Sequence, residues 1–367
     1  DVANSSNMSI LALIESNDID KIRLLIDTNS SLIDTYDANE SLLYFFVSNN
    51  KPEICSMLIE NGMNVNVIDD SYLTPLVEAA YNGALDLVDL LLKNGAWVNG
   101  DPRGITTPLI EAIENEHFEV VKLLIINNAD VNRLQTKFNR TPLDIATNCQ
   151  NHKIVELLKN NGAKYSRETI DLETTPGSGI LAHIYDNAGV IITDEYIKDD
   201  ISIKTSLIGK GKQYINNKIL FTFGNFVKKP CKEFLICLPY DWPINIQLLD
   251  GDYREAFPLK FLFLLSESYK NGMDIKEGSI LEKQDIAWRQ LKWPENIDAL
   301  IAVDYSFDHQ EKEQDLEGET VDLLLLVPIK YPKSGRPKED KLNQWIIKRR
   351  TAKWDSVSFK NEWLFPV

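Results

Sequence analysis

Thr-Pro-Leu recurs along this 367-residue chain at a period near 33. The stretch "TPLVEAAYNGALDLVDLLLKNGAWVN" begins at Thr74, "TPLIEAIENEHFEVVKLLIINNADVN" begins 33 residues later at Thr107, and "TPLDIATNCQNHKIVELLKNNGAKYS" follows at Thr141. At the same period, "SLLYFFVSNNKPEICSMLIENGMNVN" begins at Ser41 and "SILALIESNDIDKIRLLIDTNSSLID" at Ser9. A unit of this size cannot bury both of its faces alone, so a fixed period of this length requires neighbouring units to stack.

The residues within a unit say how. Thr before Pro is placed to cap a first helix, and Pro suits its opening turn, where no intrahelical donor is needed. In the unit from Thr74, Leu76, Ala79 and Ala80 form a narrow apolar face. The small alanines let a second helix, "LDLVDLLLKNG", come close, with Leu87, Val88, Leu90, Leu91 and Leu92 expected to fill the layer. Gly95 is placed to end that helix in the left-handed conformation. The units at Ser9 and Ser41 carry Ser for Thr, and Ile10 and Leu42 for Pro, as expected of an amino-terminal cap.

This pattern resembles the ankyrin repeat, and five units cover roughly Ser9 to Tyr165. The resemblance implies an α-solenoid that recognises proteins through its hairpin tips and the inner helices lining a concave face. In this register the inner-helix positions are Glu78, Tyr81, Glu111 and Glu114, and the tips contribute Asp69, Asp70, Tyr72, Asp101, Arg103 and Phe138. Trp97 stands where Asp or Asn is usual before Val-Asn, either as local packing or as an anchor.

Charge narrows the partner. The formal net charge is −16, and it is unevenly distributed: residues 1–165 hold 12 basic and 23 acidic residues, the remainder 27 and 32. Phosphate recognition needs Lys and Arg, so direct nucleic-acid binding is not expected. Acidic groups around tyrosines suit a basic protein partner, with aromatic anchors supplying the energy. The apolar run "FPLKFLFLL" is too short to cross a membrane. Cys55, Cys149, Cys231 and Cys237 lack metal-ligand spacing and are expected as thiols, Cys231 and Cys237 on one strand face, which fits a reducing, cytoplasmic setting.

After Tyr165 the period stops, and "SRETIDLETTPGSG" reads as a seam between a domain over 1–166 and another over 167–367. "GVIITDEYI", "NKILFTFGNF" and "EFLICLPYDW" read as strands, "FPLKFLFLLSESYKNG" as a helix with Pro258 in its first turn and Gly272 near its end. "IDALIAVDYS" and "VDLLLLVPIKYP" are near-continuous apolar runs, the pattern of strands covered on both faces. "LNQWIIKRRTAKW" reads as a covering helix whose Lys348, Arg349, Arg350 and Lys353 are not segregated to one face. The mixture predicts an α+β domain. The order "EFLICLPYDW", "FPLKFLFLLSESY", "GSIL", "LLLVPI", over Ile192 to Pro332, is similar to the Suppressor of fused domain family. Two departures stand out: Phe257 occupies the usual Trp position before Pro258, and the usual Gly-His-Thr segment appears as "EGSILEK".

Nothing in the sequence assembles a nucleophile, a base and an orienting group, and no Walker-type loop, dinucleotide fingerprint or zinc-hydrolase helix is present. His117 and His152 occupy repeat turns, His183 is expected on a strand, and His309 lies in the acidic stretch "DYSFDHQEKEQDLEGE". Asp304, Asp308 and Glu311 of that stretch lack the alternate-position spacing of a calcium loop. A non-catalytic, cofactor-free binding protein is therefore expected. The two resemblances, which both extend to immunity modules, imply first an immunity protein that neutralises a bacterial toxin; the alternatives are an ankyrin scaffold or secreted effector acting on a host regulator, and a regulatory subunit whose second half holds a small ligand.

Overall fold

The computed structural model describes residues 19–28, 41–136, 138–166, 176–208, 217–305, 320–350, 352 and 354–363. By their contacts the residues form two units, Asp1–Gln135 with Pro142–Ala163, and Thr136–Thr141 with Lys164–Val367.

In the first unit, α1 (Ile19–Thr28) is the second helix of the unit that starts at Ser9, whose first helix lies outside the described residues. Four helix pairs follow: α2 (Leu42–Ser48) and α3 (Pro52–Glu60), α4 (Pro75–Tyr81) and α5 (Leu85–Lys93), α6 (Pro108–Glu114) and α7 (Phe118–Ile126), α8 (Pro142–Asn148) and α9 (His152–Asn160). One apolar stripe recurs along the second helices, as Ile54, Cys55 and Leu58, then Leu87, Val88 and Leu91, then Val120, Val121 and Leu124, then Ile154 and Leu158, all buried. The i, i+1, i+4 spacing puts each set on one helix face. Leu90 and Leu92 flank that stripe and are only half-buried, so they fill the layer less than expected. Leu76, Ala79 and Ala80 are fully buried beneath α5.

The caps vary. Thr107 accepts the Ile110 amide through Oγ1 at 3.1 Å, and Ser41 accepts the Tyr44 amide at 3.1 Å. Thr74 does not cap in this way: the Val77 and Glu78 amides instead donate to its carbonyl oxygen, at 2.9 and 3.3 Å. The second helices α3, α5, α7 and α9 are each followed by a residue with positive φ: Gly62, Gly95, Asn128 and Gly162. Asn tolerates the left-handed region better than other non-glycine residues, which is why the third member of the series can depart from Gly.

In the three units from Ser41, Thr74 and Thr107, the closing Asn ties the unit to the next. Asn66 donates from Nδ2 to the Gly95 carbonyl (3.0 Å) and accepts the Trp97 amide (2.8 Å). Asn99 accepts the Asp130 amide (2.7 Å), and Asn132 donates to the Gly162 carbonyl (3.1 Å). Buried Arg133 adds to this by donating to the carbonyls of Asn99 (2.6 Å) and Asp101 (2.9 Å).

In the second unit, α10 (Ser178–Asn187) precedes a seven-stranded sheet of β1 (Gly189–Lys198), β2 (Ile201–Ile208), β3 (Asn217–Phe223), β4 (Lys232–Pro239), β5 (Ile280–Glu282), β6 (Ala299–Asp304) and β7 (Asp322–Ile329). The strand order is β1-β2-β3-β4-β7-β6-β5, antiparallel throughout except for the parallel β4–β7 pair. Alternation divides the central strands between two cores. Phe234, Ile236, Leu238, Leu324 and Leu326 join Trp242, Phe261, Trp288 and Trp293 on the face covered by α11 (Phe257–Lys270). Leu235, Cys237, Leu325 and Val327 join Ile180, Leu181 and Ile184 of α10 on the other. Covering both faces is what makes these strands apolar at successive positions.

His183 sits in α10, not on a strand, because Ile180, Leu181 and Ile184 follow a helical spacing after Gly177, whose φ is +76°. Cys231 and Cys237 do share a core face, although Cys231 immediately precedes β4. The carboxy-terminal elements are α12 (Glu339–Arg350) and α13 (Trp354–Val357). His309, Asp308, Glu311 and Lys353 lie outside the described residues.

Candidate protein-binding surface

The repeats present two sets of side chains: one on the first helices of each pair, one on the tips before them. On the helices, Glu78 is half-buried and accepts the Tyr44 hydroxyl at 3.2 Å and the Asn82 amide at 3.0 Å. Tyr81 is 51% exposed. His117 donates from Nε2 to the Tyr81 carbonyl at 2.9 Å, which assigns that histidine to holding adjacent units together and places its proton on Nε2. Glu111 is half-buried, and Glu114 is exposed and accepts from Gln135 Nε2 at 3.2 Å.

The carboxylates feel one another. Burial pushes the Glu111 carboxyl above the ordinary range; Glu114 and Glu78 add to that rise, against an opposing contact from Thr106. Among the described residues neither Glu78 nor Glu111 has an ion-pair partner. The face is thus acidic and aromatic, with Tyr44 and Tyr81 beside the carboxylates. Tyr44 escaped the reading of the sequence because its counterparts along the period are Val77 and Ile110, whereas the Glu78 position corresponds to Phe45.

At the tips the residues divide by accessibility. Asp69 accepts the amides of Ser71 and Leu73 through one oxygen, both at 2.8 Å, and so shapes its own turn, while Asp70 is exposed. Tyr72 has a φ of +60° and lies under the Arg103 guanidinium, 4.2 Å from the ring centroid. Asp101 is not available to a partner: it is 2% exposed and receives Arg103 through two bonds of 2.9 Å. A carboxylate buried at a turn needs such a charged donor, and Arg supplies it in bidentate form. Asp101, Arg103 and Tyr72 therefore form one bracket, in which Tyr72 and Arg103 are half-buried.

Phe138 is 46% exposed and lies in the segment Thr136–Thr141 that belongs to the second unit. Its carbonyl accepts the Tyr240 hydroxyl at 2.9 Å, and Asn139 donates to the Tyr240 carbonyl at 3.1 Å. Trp97 is exposed; its amide donates to Asn66 Oδ1 and its carbonyl accepts the Gly100 amide, both at 2.8 Å.

Among the described residues no group of three or more His, Cys, Asp and Glu could hold a metal ion, and no helix is long and apolar enough to cross a membrane. Residues 10–101 and 99–169 match the family model of ankyrin repeats (3 copies). A segment of 80 residues, 21% of the chain, is 36% identical to an ankyrin repeat protein of Rickettsia bellii (strain RML369-C), and it spans 12% of that relative's own length. Ankyrin repeats imply a protein-binding role, and proteins built from them are in general non-catalytic. Period, helix pairs, left-handed helix ends and these matches agree that the amino-terminal region of the chain is an array of ankyrin repeats.

Proposed function

We propose that the repeat array receives a basic protein on the face carrying Tyr44, Glu78, Tyr81, Glu111 and Glu114, and that the chain is a cytoplasmic immunity protein that neutralises a bacterial toxin. The observation behind the first part is the clustering of Glu78, Glu111 and Glu114 with no ion-pair partner for the first two among the described residues. Carboxylates so arranged raise one another's energy when charged, and a cationic partner relieves that repulsion as it docks. Asp70 and Tyr72 extend the same surface from the tips; Asp101 contributes by holding Arg103 in place. The second part is supported by the pairing of an ankyrin array with a second half similar to the Suppressor of fused family, a combination of modules that resembles toxin-neutralising proteins.

Two measurements test these parts separately. Replacing Glu78, Glu111 and Glu114 together by Lys leaves folding intact, because half-buried and exposed positions tolerate polar exchange. It lowers the association rate for a basic partner at low ionic strength and removes most of the salt dependence. Equal binding by the triple variant and the parent at low salt would refute the acidic-face model. For the immunity role, the chain is co-produced with a toxin domain encoded beside its gene; cell killing that the chain does not reduce refutes that role.

A further inference from the structure

The second unit carries a cavity that the reading above does not use. It measures about 400 Å³ and is lined by the turn joining β1 to β2, the end of β3 and the short helical turn Asn225–Val227. Its walls are apolar: Pro176, Ile201, Phe223 and Phe226, with Ile197 63% and Val227 69% exposed. Large aliphatic side chains so exposed around one concavity are unusual on a protein surface with no partner there.

The walls are held in place before anything binds. The amides of Gly224 and Phe226 donate to Oε1 of buried Glu233 at 3.0 and 2.9 Å, and the Thr222 hydroxyl donates to its Oε2 at 2.5 Å. Gly224 has a φ of +125°, and a Cβ there would come within 2.6 Å of the Asp200 carbonyl oxygen. Only glycine lets the two turns bracketing the cavity approach this closely.

The charged residues in the lining are both acidic, Asp199 and Asp200. Asp200 pairs with Lys270, whereas the exposed Asp199 has no partner among the described residues. The cavity therefore joins an apolar floor to a negative rim. That combination complements a bulky aliphatic or aromatic side chain with a cation next to it. We infer that this cavity is a docking socket for a polypeptide segment bearing a large apolar residue beside Lys or Arg. The socket lies wholly within the second unit and is independent of the acidic face of the repeats.

The test uses the full chain with labelled Ile and Val methyl groups, and two tetrapeptides as probes, acetyl-Lys-Phe-Leu-Lys-amide and acetyl-Glu-Phe-Leu-Glu-amide. The basic peptide is expected to shift the methyl signals of Ile197, Ile201 and Val227 saturably, and the acidic peptide to do so at least about ten-fold more weakly. Val227→Lys should weaken the basic peptide by about ten-fold, as loss of an apolar anchor does. Asp199→Asn should narrow the difference between the two peptides. If Val227→Lys fails to fold, Ile197→Ser makes the same test from the opposite wall. Equal response to both peptides, shifts confined to other methyl groups, or shifts that follow protein concentration alone, as for a second copy, would each overturn the assignment.

Discussion

Replacing Arg133 by Ala removes a buried side chain whose guanidinium links consecutive repeat tips. Two of its bonds, 2.6 Å to the Asn99 carbonyl and 2.9 Å to the Asp101 carbonyl, have a charged donor. Such bonds contribute about 1.5–3 kcal/mol each, so these two together contribute about 3–6 kcal/mol. Water can reach part of a surface tip once the side chain is gone, which brings the expected cost to about 3 kcal/mol. Asn99→Ala removes one neutral bond, to the Asp130 amide, and should cost only about 1 kcal/mol. Because repeats contact only their neighbours, the loss should be local. Native-state hydrogen exchange on the full chain reads it: Arg133→Ala should speed exchange in the segment from Asn99 to Gln135 far more than in Ser41–Glu60. A cost for Arg133→Ala no larger than that for Asn99→Ala, or a loss of protection spread evenly over the repeats, would refute the claim that Arg133 staples these two tips.

Two other perturbations test different parts of the fold. Gly83→Ala places a Cβ 2.5 Å from the His117 ring at a φ of +67°, so it should lower the melting temperature by several degrees and disrupt the bond to the Tyr81 carbonyl; an unchanged melt would refute the close approach. Burial pushes the Glu233 carboxyl to about 8, against hydrogen bonds from Thr222 and neighbouring amides that pull it down. Since its folded value lies above the unfolded one, its contribution is fully present below about pH 4, the unfolded carboxylate value, and is lost as the pH rises toward about 8. Urea titrations of the second unit's signals within the full chain across this window should show a slope that Glu233→Gln abolishes; an identical slope in the variant would assign it elsewhere.

The repeats were legible because their signals are local and redundant. A Gly or Asn after each of α3, α5, α7 and α9, Pro at three of the first helices and a stripe of apolar residues along those second helices all report the same period. The sites of correction are those where one residue's fate depends on a neighbour that periodicity does not name. Asp101 looks like any tip carboxylate until Arg103 folds back on it, and Thr74 looks like Thr107 although only the Thr107 hydroxyl accepts an amide of its helix. In the second unit, the apolar runs around Leu235 and Leu325 identified central strands. The strand "ISIKTSLI" (201–208) escaped notice because its polar alternation is diluted by Ser and Thr, and α10 escaped because "ILAHIYDN" is too short for periodicity to separate helix from strand. The cavity beside Asp199 was invisible for a simpler reason. Its walls come from segments as far apart as Pro176 and Val227, and no motif spans them.

The parallel pairing of β4 with β7 orders how the second unit can be made. Strands β1 to β4 form a meander in which each strand meets its predecessor as the chain emerges, but β4 finds its outer neighbour only when Leu323 arrives opposite Glu233, ninety residues further on. Until then the edge carrying Phe234 and Leu235 is an apolar template open to any extended chain. A ribosome stalled between β4 and β7 therefore holds a nascent chain with an exposed sticky edge. Truncations in that interval should form aggregates, whereas chains that extend past β7 should remain soluble.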